Sequence, residues 1–207
     1  MIVPLIGTLT DATVVSVVAA SASDIAPFVR EASRQTGVPE PVIWAVIRVE
    51  SRGDVRAMSP KGAMGLMQLM PETWSTLRGI LHLGQDAFDP HDNIVAGTYY
   101  LRDLYDRYGW EGVFAAYNAG PGRYKSHRDR GQILPAETRG YVIRISEELR
   151  GKTYAFAPLS NEVKPTIWAE AALFIKDTTI TTDPGNGFQS PATPFVSLGA
   201  PTDIPEP

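Results

Sequence analysis

Residues 42–70 constrain the fold most, because they combine a helical apolar stripe with a carboxylate. Ile43, Val46 and Ile47 fall at positions i, i+3 and i+4. Glu50 follows at i+7, so all four side chains share one face of an α-helix. A helix that turns an ionisable group toward its apolar side pairs it, buries it at a cost, or uses it. The stretch therefore predicts a core helix with a candidate functional residue near its end.

Proline and glycine divide the first 150 residues into further short helices. Asp24 is a suitable N-cap and Gly37 a suitable stop for the first helix. An Asp-Pro turn precedes a longer helix, which Gly109 should end. Further helices are expected to begin near residues 39, 71, 110 and 135. Six or so short helices without alternating strands predict a mainly α fold with a single helical domain at residues 24–150.

Three segments are not expected to add helices to this domain. Residues 125–132 are polar and indicate a loop. Residues 1–23 hold an apolar run that closes on Ala-Ser-Ala like a signal segment, but they lack its usual positive start. Residues 151–207 are interpreted as a Pro-rich, largely flexible tail with an apolar island at residues 167–175.

Charge and cysteine content exclude several function classes. A formal net charge of -4 with no basic run argues against nucleic acid or an anionic membrane as the main partner. No stretch is long and apolar enough to predict an integral membrane span. The chain has no cysteine, which excludes disulfides, thiolate metal sites and a cysteine nucleophile. No cofactor and no metal are expected.

Glu50 has two interpretations from its position alone. Burial disfavours the ionised state of a carboxyl, so Glu50 could hold a proton near neutral pH and act as a general acid. Alternatively, it reaches solvent or pairs with a neighbouring arginine: Arg48, Arg52 or Arg56. An isolated glutamate in a helix usually reaches solvent or forms an ion pair.

Three later motifs favour a site around Glu50. Residues 65–68 combine a tight glycine turn with an amide that could contact a sugar. Residues 116–122 place an aromatic ring and an amide at a helix end, and residues 137–142 place a tyrosine on a helix face. Each motif alone has an ordinary structural explanation. Their order along the chain is more specific than any one of them.

In that order the motifs resemble the soluble lytic transglycosylases of the lysozyme-like superfamily. The resemblance covers about residues 25–149, and it implies a goose-type-lysozyme-like helical domain. It also implies cleavage of the β-1,4 bond between N-acetylmuramic acid (MurNAc) and N-acetylglucosamine (GlcNAc) in peptidoglycan without water, leaving a 1,6-anhydro sugar. The motifs that carry it are Glu50-Ser51, Ser59-Pro60, Gly65-Leu66-Met67-Gln68, Pro71 with Thr73, Asn93-Ile94 with Gly97, Tyr100-Leu101, Ala116-Tyr117-Asn118-Ala119-Gly120, Glu137-Thr138 and Tyr141-Val142.

The resemblance also implies roles for individual residues. Glu50 would be the catalytic acid and then the base, and Tyr141 would hydrogen-bond it. Ser59 would help to hold the substrate acetamido group or Glu50. The remaining substrate-binding residues would line the sugar subsites: Met67, Gln68, Tyr117 and Asn118. Two residues depart from the family pattern, Lys61 near the substrate loop and Asp54 where asparagine is common.

Two other functions remain open at the level of sequence. A hydrolytic muramidase would need a second acid to activate water, and Asp54, Asp86 and Asp89 are the candidates. A non-catalytic peptidoglycan-binding or scaffold protein would fit the apolar island and the Pro-rich tail. All three readings predict glycan strands of peptidoglycan as the partner and a periplasmic or cell-envelope location. Association with a secretion, conjugation or flagellar complex is expected only by analogy.

Overall fold

The computed structural model describes residues 22–159, and within that range it is all helical. No strand occurs among these residues; two isolated bridges, Met58 with Met64 and Met64 with Leu69, are the only β pairings there. The mainly α fold predicted from the sequence is therefore confirmed. The helices are α1 Ala22–Thr36, α2 Glu40–Ser51, α3 Pro71–Ile80, α4 Pro90–Ala119, α5 Pro121–Arg130 and α6 Ala136–Glu148.

The long helix α4 is the centre of the domain, and α1, α3, α5 and α6 all pack against it. Gly109 interrupts α4 with φ 64° and ψ -171°, which is not helical. The break predicted at Gly109 is therefore present as a kink that divides α4 into two helical arms. Ile94 and Leu101 before the kink, and Val113 and Ala116 after it, are fully buried. Both arms of α4 thus contribute to one core.

Helix α2 carries the apolar stripe that ends at Glu50. Its side chains at Ile43, Val46 and Ile47 are at most 1% exposed, so the predicted apolar face is the core face. The helix ends at Arg52, which takes the left-handed conformation with φ 57°. Glu50 consequently lies in the last turn of a helix whose position is fixed by the core.

The predicted loop at residues 125–132 is wrong, because helix α5 occupies most of it. Pro121 opens this helix after Gly120, whose φ of 84° breaks the chain away from α4. An ion pair between Lys125 and Asp129, 2.9 Å apart at i and i+4, supports the exposed face. The Tyr124 ring packs edge-on at 4.9 Å from the ring of Tyr108 on α4. A helix polar on nearly every side has no apolar stripe for sequence periodicity to detect.

The packed structure continues past residue 150, where the sequence analysis places the domain end. Phe156 is buried and stacks on Tyr105 of α4 with ring centroids 3.9 Å apart. The backbone amide of Ala157 donates to the carbonyl of Gly37 at 2.9 Å. Arg102 donates to the carbonyls of Thr36 at 3.0 Å and Ala157 at 2.5 Å. Residues 154–157 thus attach the chain to the end of α1 and the middle of α4.

Two further predictions from the sequence concern the start of α1 and the absence of a membrane span. Helix α1 begins at Ala22, so Asp24 is not its N-cap but lies in its first turn, where the helix dipole favours a negative charge. In the range 22–159, no helix is long and apolar enough to cross a membrane. The possible signal segment, most of the Pro-rich tail and the island at residues 167–175 lie outside the described residues.

Candidate active site

Glu50 keeps some solvent exposure, yet protein surrounds its carboxyl group. Desolvation by burial is the largest influence on this group and raises its pKa to about 7. The alternative of pairing with a neighbouring arginine is not what the structure shows, since Glu50 forms no ion pair within residues 22–159. Arg48 instead pairs with Glu148 at 2.5 Å, and Arg56 with Asp86 at 3.6 Å. A substantial share of Glu50 is therefore protonated near neutral pH.

Tyr141 of α6 is the nearest partner that the structure gives to Glu50. Its side chain is only 1% exposed. The two groups are close enough for the hydroxyl to lower the pKa of Glu50, yet no hydrogen bond of standard geometry joins the Tyr141 hydroxyl to any described atom. We interpret them as neighbours whose alignment falls short of a hydrogen bond, as is common in catalytic sites without substrate.

Two charges on α6 act on Glu50 in opposite directions. Arg144 lowers the pKa of the Glu50 carboxyl, whereas Glu137 raises it. Glu137 is itself paired with Lys61 at 2.9 Å, and this ion pair lowers the pKa of Glu137. Lys61, which departs from the family pattern, therefore links the loop after α2 to the start of α6.

The loop between α2 and α3 is held in place by Asn93 of α4. Asn93 is fully buried, and its side-chain oxygen accepts from the amide of Met67 at 2.8 Å. Its side-chain nitrogen donates to the carbonyls of Met64 at 3.1 Å and Ala87 at 2.8 Å. Asn93 belongs to one of the motifs of the family resemblance, but no role for it was predicted from the sequence. A buried asparagine with this many bonds fixes an irregular loop that cannot satisfy its own backbone groups.

Gln68 and Ser59 serve the same loop. The Gln68 backbone has φ 48°, and its side-chain nitrogen donates to the carbonyls of Ala57 at 3.0 Å and Gly65 at 2.9 Å. The Ser59 hydroxyl accepts from the amide of Ala63 at 3.0 Å. Both residues thus shape the loop, and the Gln68 amide nitrogen is already engaged by backbone.

A cleft of about 640 Å³ brings three of the predicted substrate-binding residues together: Gln68, Tyr117 and Asn118. The Tyr117 hydroxyl donates to the carbonyl of Met67 at 2.8 Å, so Tyr117 joins α4 to the loop. Tyr100 also lines the cleft, with its ring 5.2 Å from the ring of Tyr117. Tyr100 is not among the substrate-binding residues predicted from the sequence. Met67, also predicted as a substrate-binding residue, is fully buried and does not line the cleft.

The three aspartates considered as a second acid all have local structural roles. Asp54 accepts from the amide of Arg56 at 2.9 Å, which is a turn. Asp86 accepts from the amide of Phe88 at 2.9 Å. Asp89 caps α4 by accepting from the amide of Asp92 at 3.0 Å. Neither these aspartates nor Glu50 line the cleft described above, but only Glu50 acts on a residue that does, since its charge raises the pKa of Tyr117.

The family model that matches the chain describes the transglycosylase SLT domain, and it matches residues 27–138. A similar protein is the soluble lytic murein transglycosylase of Escherichia coli K12, with 39% identity over 127 residues. That match covers 52% of this chain and 20% of the relative, so the chain spans about a fifth of the relative's length.

Solved structures show the same similarity. The 70-kDa soluble lytic transglycosylase of Escherichia coli matches with a TM-score of 0.53 and 32% identity, over 59% of this chain and 23% of that one. A complex of the 70-kDa soluble lytic transglycosylase with bulgecin A matches with the same TM-score of 0.53 and 28% identity, over 64% of this chain and 25% of that one. The matched part of these larger proteins is thus a helical unit of about this size.

Proposed function

The chain belongs to the transglycosylase SLT domain family, and we propose that it is a lytic transglycosylase acting on peptidoglycan. One observation supports this above the others. Glu50 is a carboxyl group with its pKa raised to about 7, held by the core helix α2 beside the buried Tyr141. A carboxyl that is still partly protonated at neutral pH suits a general acid.

The proposed first step is protonation of the glycosidic oxygen by Glu50. The bond between C1 of MurNAc and the oxygen of GlcNAc breaks, and its electron pair leaves with the protonated oxygen. In the second step the Glu50 carboxylate takes the proton of the MurNAc C6 hydroxyl, whose oxygen attacks C1. The product is 1,6-anhydroMurNAc, and Glu50 regains the proton it gave. No water is consumed.

This mechanism needs no second acid, in agreement with the local roles of Asp54, Asp86 and Asp89. The substrate acetamido group can stabilise the oxocarbenium-like centre, which is a known exception to the two-carboxylate scheme. We propose that Ser59 holds the loop at which this group is bound. Its hydroxyl already accepts from the Ala63 amide at 3.0 Å, which fixes its position.

Tyr141 would complete the site as the hydrogen-bond partner of Glu50. Its buried hydroxyl has no aligned partner among the described residues, so a small adjustment on substrate binding would satisfy both groups. The hydroxyl would favour the carboxylate form, which is the form needed in the second step. A partner that stabilises the carboxylate makes Glu50 a stronger acid, so Tyr141 would speed the donation of the proton more than its recovery.

The cleft beside the site would hold the sugar rings. We propose Asn118 and the open face of Gln68 as the polar contacts, with the rings of Tyr100 and Tyr117 as apolar walls. Tyr117 would support the cleft wall rather than bind the sugar through a hydrogen bond, because its hydroxyl already donates to the Met67 carbonyl at 2.8 Å. Met67 would also support the wall without contacting the sugar, because its side chain is buried and its amide and carbonyl are bonded to Asn93 and Tyr117.

Mass spectrometry of peptidoglycan fragments tests the proposal. Purified protein should release fragments that end in 1,6-anhydroMurNAc, and Glu50→Gln should release none while keeping the helical circular dichroism signal. Reducing MurNAc ends would contradict the mechanism and favour a muramidase. Full wall-lytic activity of Glu50→Gln would show that another residue is the acid, and a wild type that only binds strands would favour a scaffold protein.

Such a substrate implies that the protein works in the cell envelope, and we propose a periplasmic location. Cell fractionation with sequencing of the mature N-terminus tests the location together with the signal segment. Co-purification with a secretion, conjugation or flagellar complex would test the association expected by analogy.

A further inference from the structure

A groove of about 150 Å³ lies between the second arm of α4 and helix α6, and it shares no lining residue with the cleft. We call it the tryptophan groove. Its floor belongs to the core, since Phe114, Ile145 and Leu149 are at most 6% exposed. Its wall includes the half-buried Trp110, whose ring meets the Phe114 ring edge-on at 5.1 Å. An apolar concavity with a polar rim is typical of a docking site, and the rim residues are Glu111, Ser146 and Lys152.

The chain passes this groove just before the described residues end. Lys152 lines the groove, and the Tyr154 ring then lies 6.1 Å from the Trp110 ring. Ala157 follows, and its carbonyl accepts from Arg102 at 2.5 Å. Arg102 and Trp110 are eight positions apart on α4, which is about 12 Å along a helix axis. The segment that comes after Ala157 therefore starts close to the groove.

The apolar island at residues 167–175 is within reach of the groove. Eight of its nine residues are apolar, and they include Trp168 and Phe174. Trp168 is nine positions beyond Leu159, and an extended chain of that length spans up to about 30 Å. A segment on a short linker has an effective concentration of about millimolar, so even a weak contact is populated. Reach and apolar composition both make the island a suitable occupant.

Charge and size also favour the island over a separate protein. The rim of the groove carries one base and one acid, Lys152 and Glu111. The island holds one acid, Glu170, and one base follows it, Lys176. A groove of about 150 Å³ holds one or two large side chains, whereas a stable interface between proteins buries about 1,200–2,000 Å². A contact this small suits a tethered segment better than a free partner.

We propose that residues 167–175 fold back and dock in the tryptophan groove, with an aromatic side chain of the island on its apolar floor. The groove joins the second arm of α4 to α6, and these elements carry Asn118 and Tyr141. The docked island thus holds together the two helical segments that position these side chains. The inference concerns packing alone, so it stands or falls independently of the proposed reaction.

Disulfide trapping tests the inference in the full chain, which has no cysteine of its own. Ser146→Cys, at an exposed position of the rim, is combined with one island substitution at a time: Ala169→Cys, Ala171→Cys or Ala172→Cys. A disulfide needs Cα atoms within about 7 Å, so at least one pair should close within a single chain in oxidised glutathione. The matched control is Ser75→Cys, an exposed serine of α3 outside the groove, with the same three island positions. These control pairs should stay open.

Hydrogen exchange in the full chain gives a second measurement. Trp168→Ala/Phe174→Ala should raise the exchange rates of residues 142–149 by about fivefold or more and leave α1 unchanged. The control Phe188→Ala/Phe195→Ala removes two aromatic rings from outside the island and should change neither region.

Four outcomes would overturn the inference. In the trapping experiment they are that no Ser146→Cys pair closes, that the Ser75→Cys pairs close equally well, or that the disulfides join two chains, which would assign the groove to a second copy. In the exchange experiment the contrary outcome is an equal effect of the island variant and its control. Both measurements avoid substitutions in the buried core, so a failure to fold does not obscure the result.

Discussion

At the scale of single residues, the raised pKa of Glu50 links the proposed chemistry to the stability of the fold. A carboxyl whose pKa is about 7 when folded and 4.5 when unfolded binds more protons in the native state between those pH values. Its contribution to stability is therefore full below about pH 4.5 and is lost as the pH rises through 7. The loss amounts to at most about 3 kcal/mol.

We therefore predict that Glu50→Gln, which cannot ionise, gains stability relative to wild type as the pH rises. The difference in the free energy of unfolding should grow from about pH 4.5 to 7 and then level off. Urea denaturation of both proteins between pH 4 and 8 measures it. A difference that does not change with pH would mean that the carboxyl is not desolvated.

A second prediction concerns Tyr141, whose hydroxyl lowers the pKa of Glu50. Tyr141→Phe should shift the alkaline limb of kcat/KM to higher pH and lower the maximal rate by about tenfold or more. Rates measured from pH 5 to 9 give both numbers. Tyr154→Phe serves as the control, because the Tyr154 ring lies beside Trp110 at 6.1 Å and its hydroxyl is not among the groups that act on Glu50. An unshifted limb would remove Tyr141 from the proposed site.

How much of the site was predictable depends on the range of each interaction. Glu50 could be identified because its stripe is encoded within eight consecutive residues. The contact with Tyr141 crosses 91 positions of the chain, so only the family resemblance suggested it. The bonds of Asn93 to three backbone groups could not be predicted from spacing, since they depend on the path of an irregular loop.

At the scale of elements, helix boundaries marked by proline and glycine were predictable, whereas α5 was not. Pro71 begins α3 and Pro90 begins α4, as their fixed φ favours. Helix α5 has a mostly charged surface and is held by short-range ion pairs and by Tyr124 against α4. Such a helix resembles a loop in composition, and only its tertiary contact distinguishes it.

The packing of the loop after α2 on α4 gives a prediction at this scale. A Cβ added at Gly97 would lie 2.5 Å from the Met67 sulfur and 2.7 Å from its Cβ, so Gly97→Ala should cost about 1–3 kcal/mol. Gly79→Ala in α3 meets nothing within 4 Å and should stabilise the protein by up to about 1 kcal/mol. Thermal unfolding of both variants tests the pair. Equal effects would mean that α4 and the loop do not pack closely.

At the scale of the whole molecule, the domain depends on a segment that the sequence analysis assigned to the tail. Truncation after Gly151 removes the Phe156 stack and the bonds of Ala157 to Gly37 and Arg102. We expect the truncated domain to remain helical but to lose about 2–4 kcal/mol of stability. Urea denaturation provides the measurement.

Truncation after Leu159 keeps all of these contacts and is the matched control. The variant Phe156→Ala in the full chain should reproduce most of the loss. If the two truncated proteins unfold at the same urea concentration, residues 152–159 add nothing to the fold, and the domain ends where the sequence analysis placed it.

The anchoring of Met67 has a mechanical consequence. Its amide is held by Asn93 at 2.8 Å, before the kink of α4, and its carbonyl is held by Tyr117 at 2.8 Å, beyond the kink. One loop residue and the two arms of a bent helix thus form a triangle, which cannot change its angles without breaking a bond. We therefore expect the Met67 side of the cleft wall to move together with α4 as one unit.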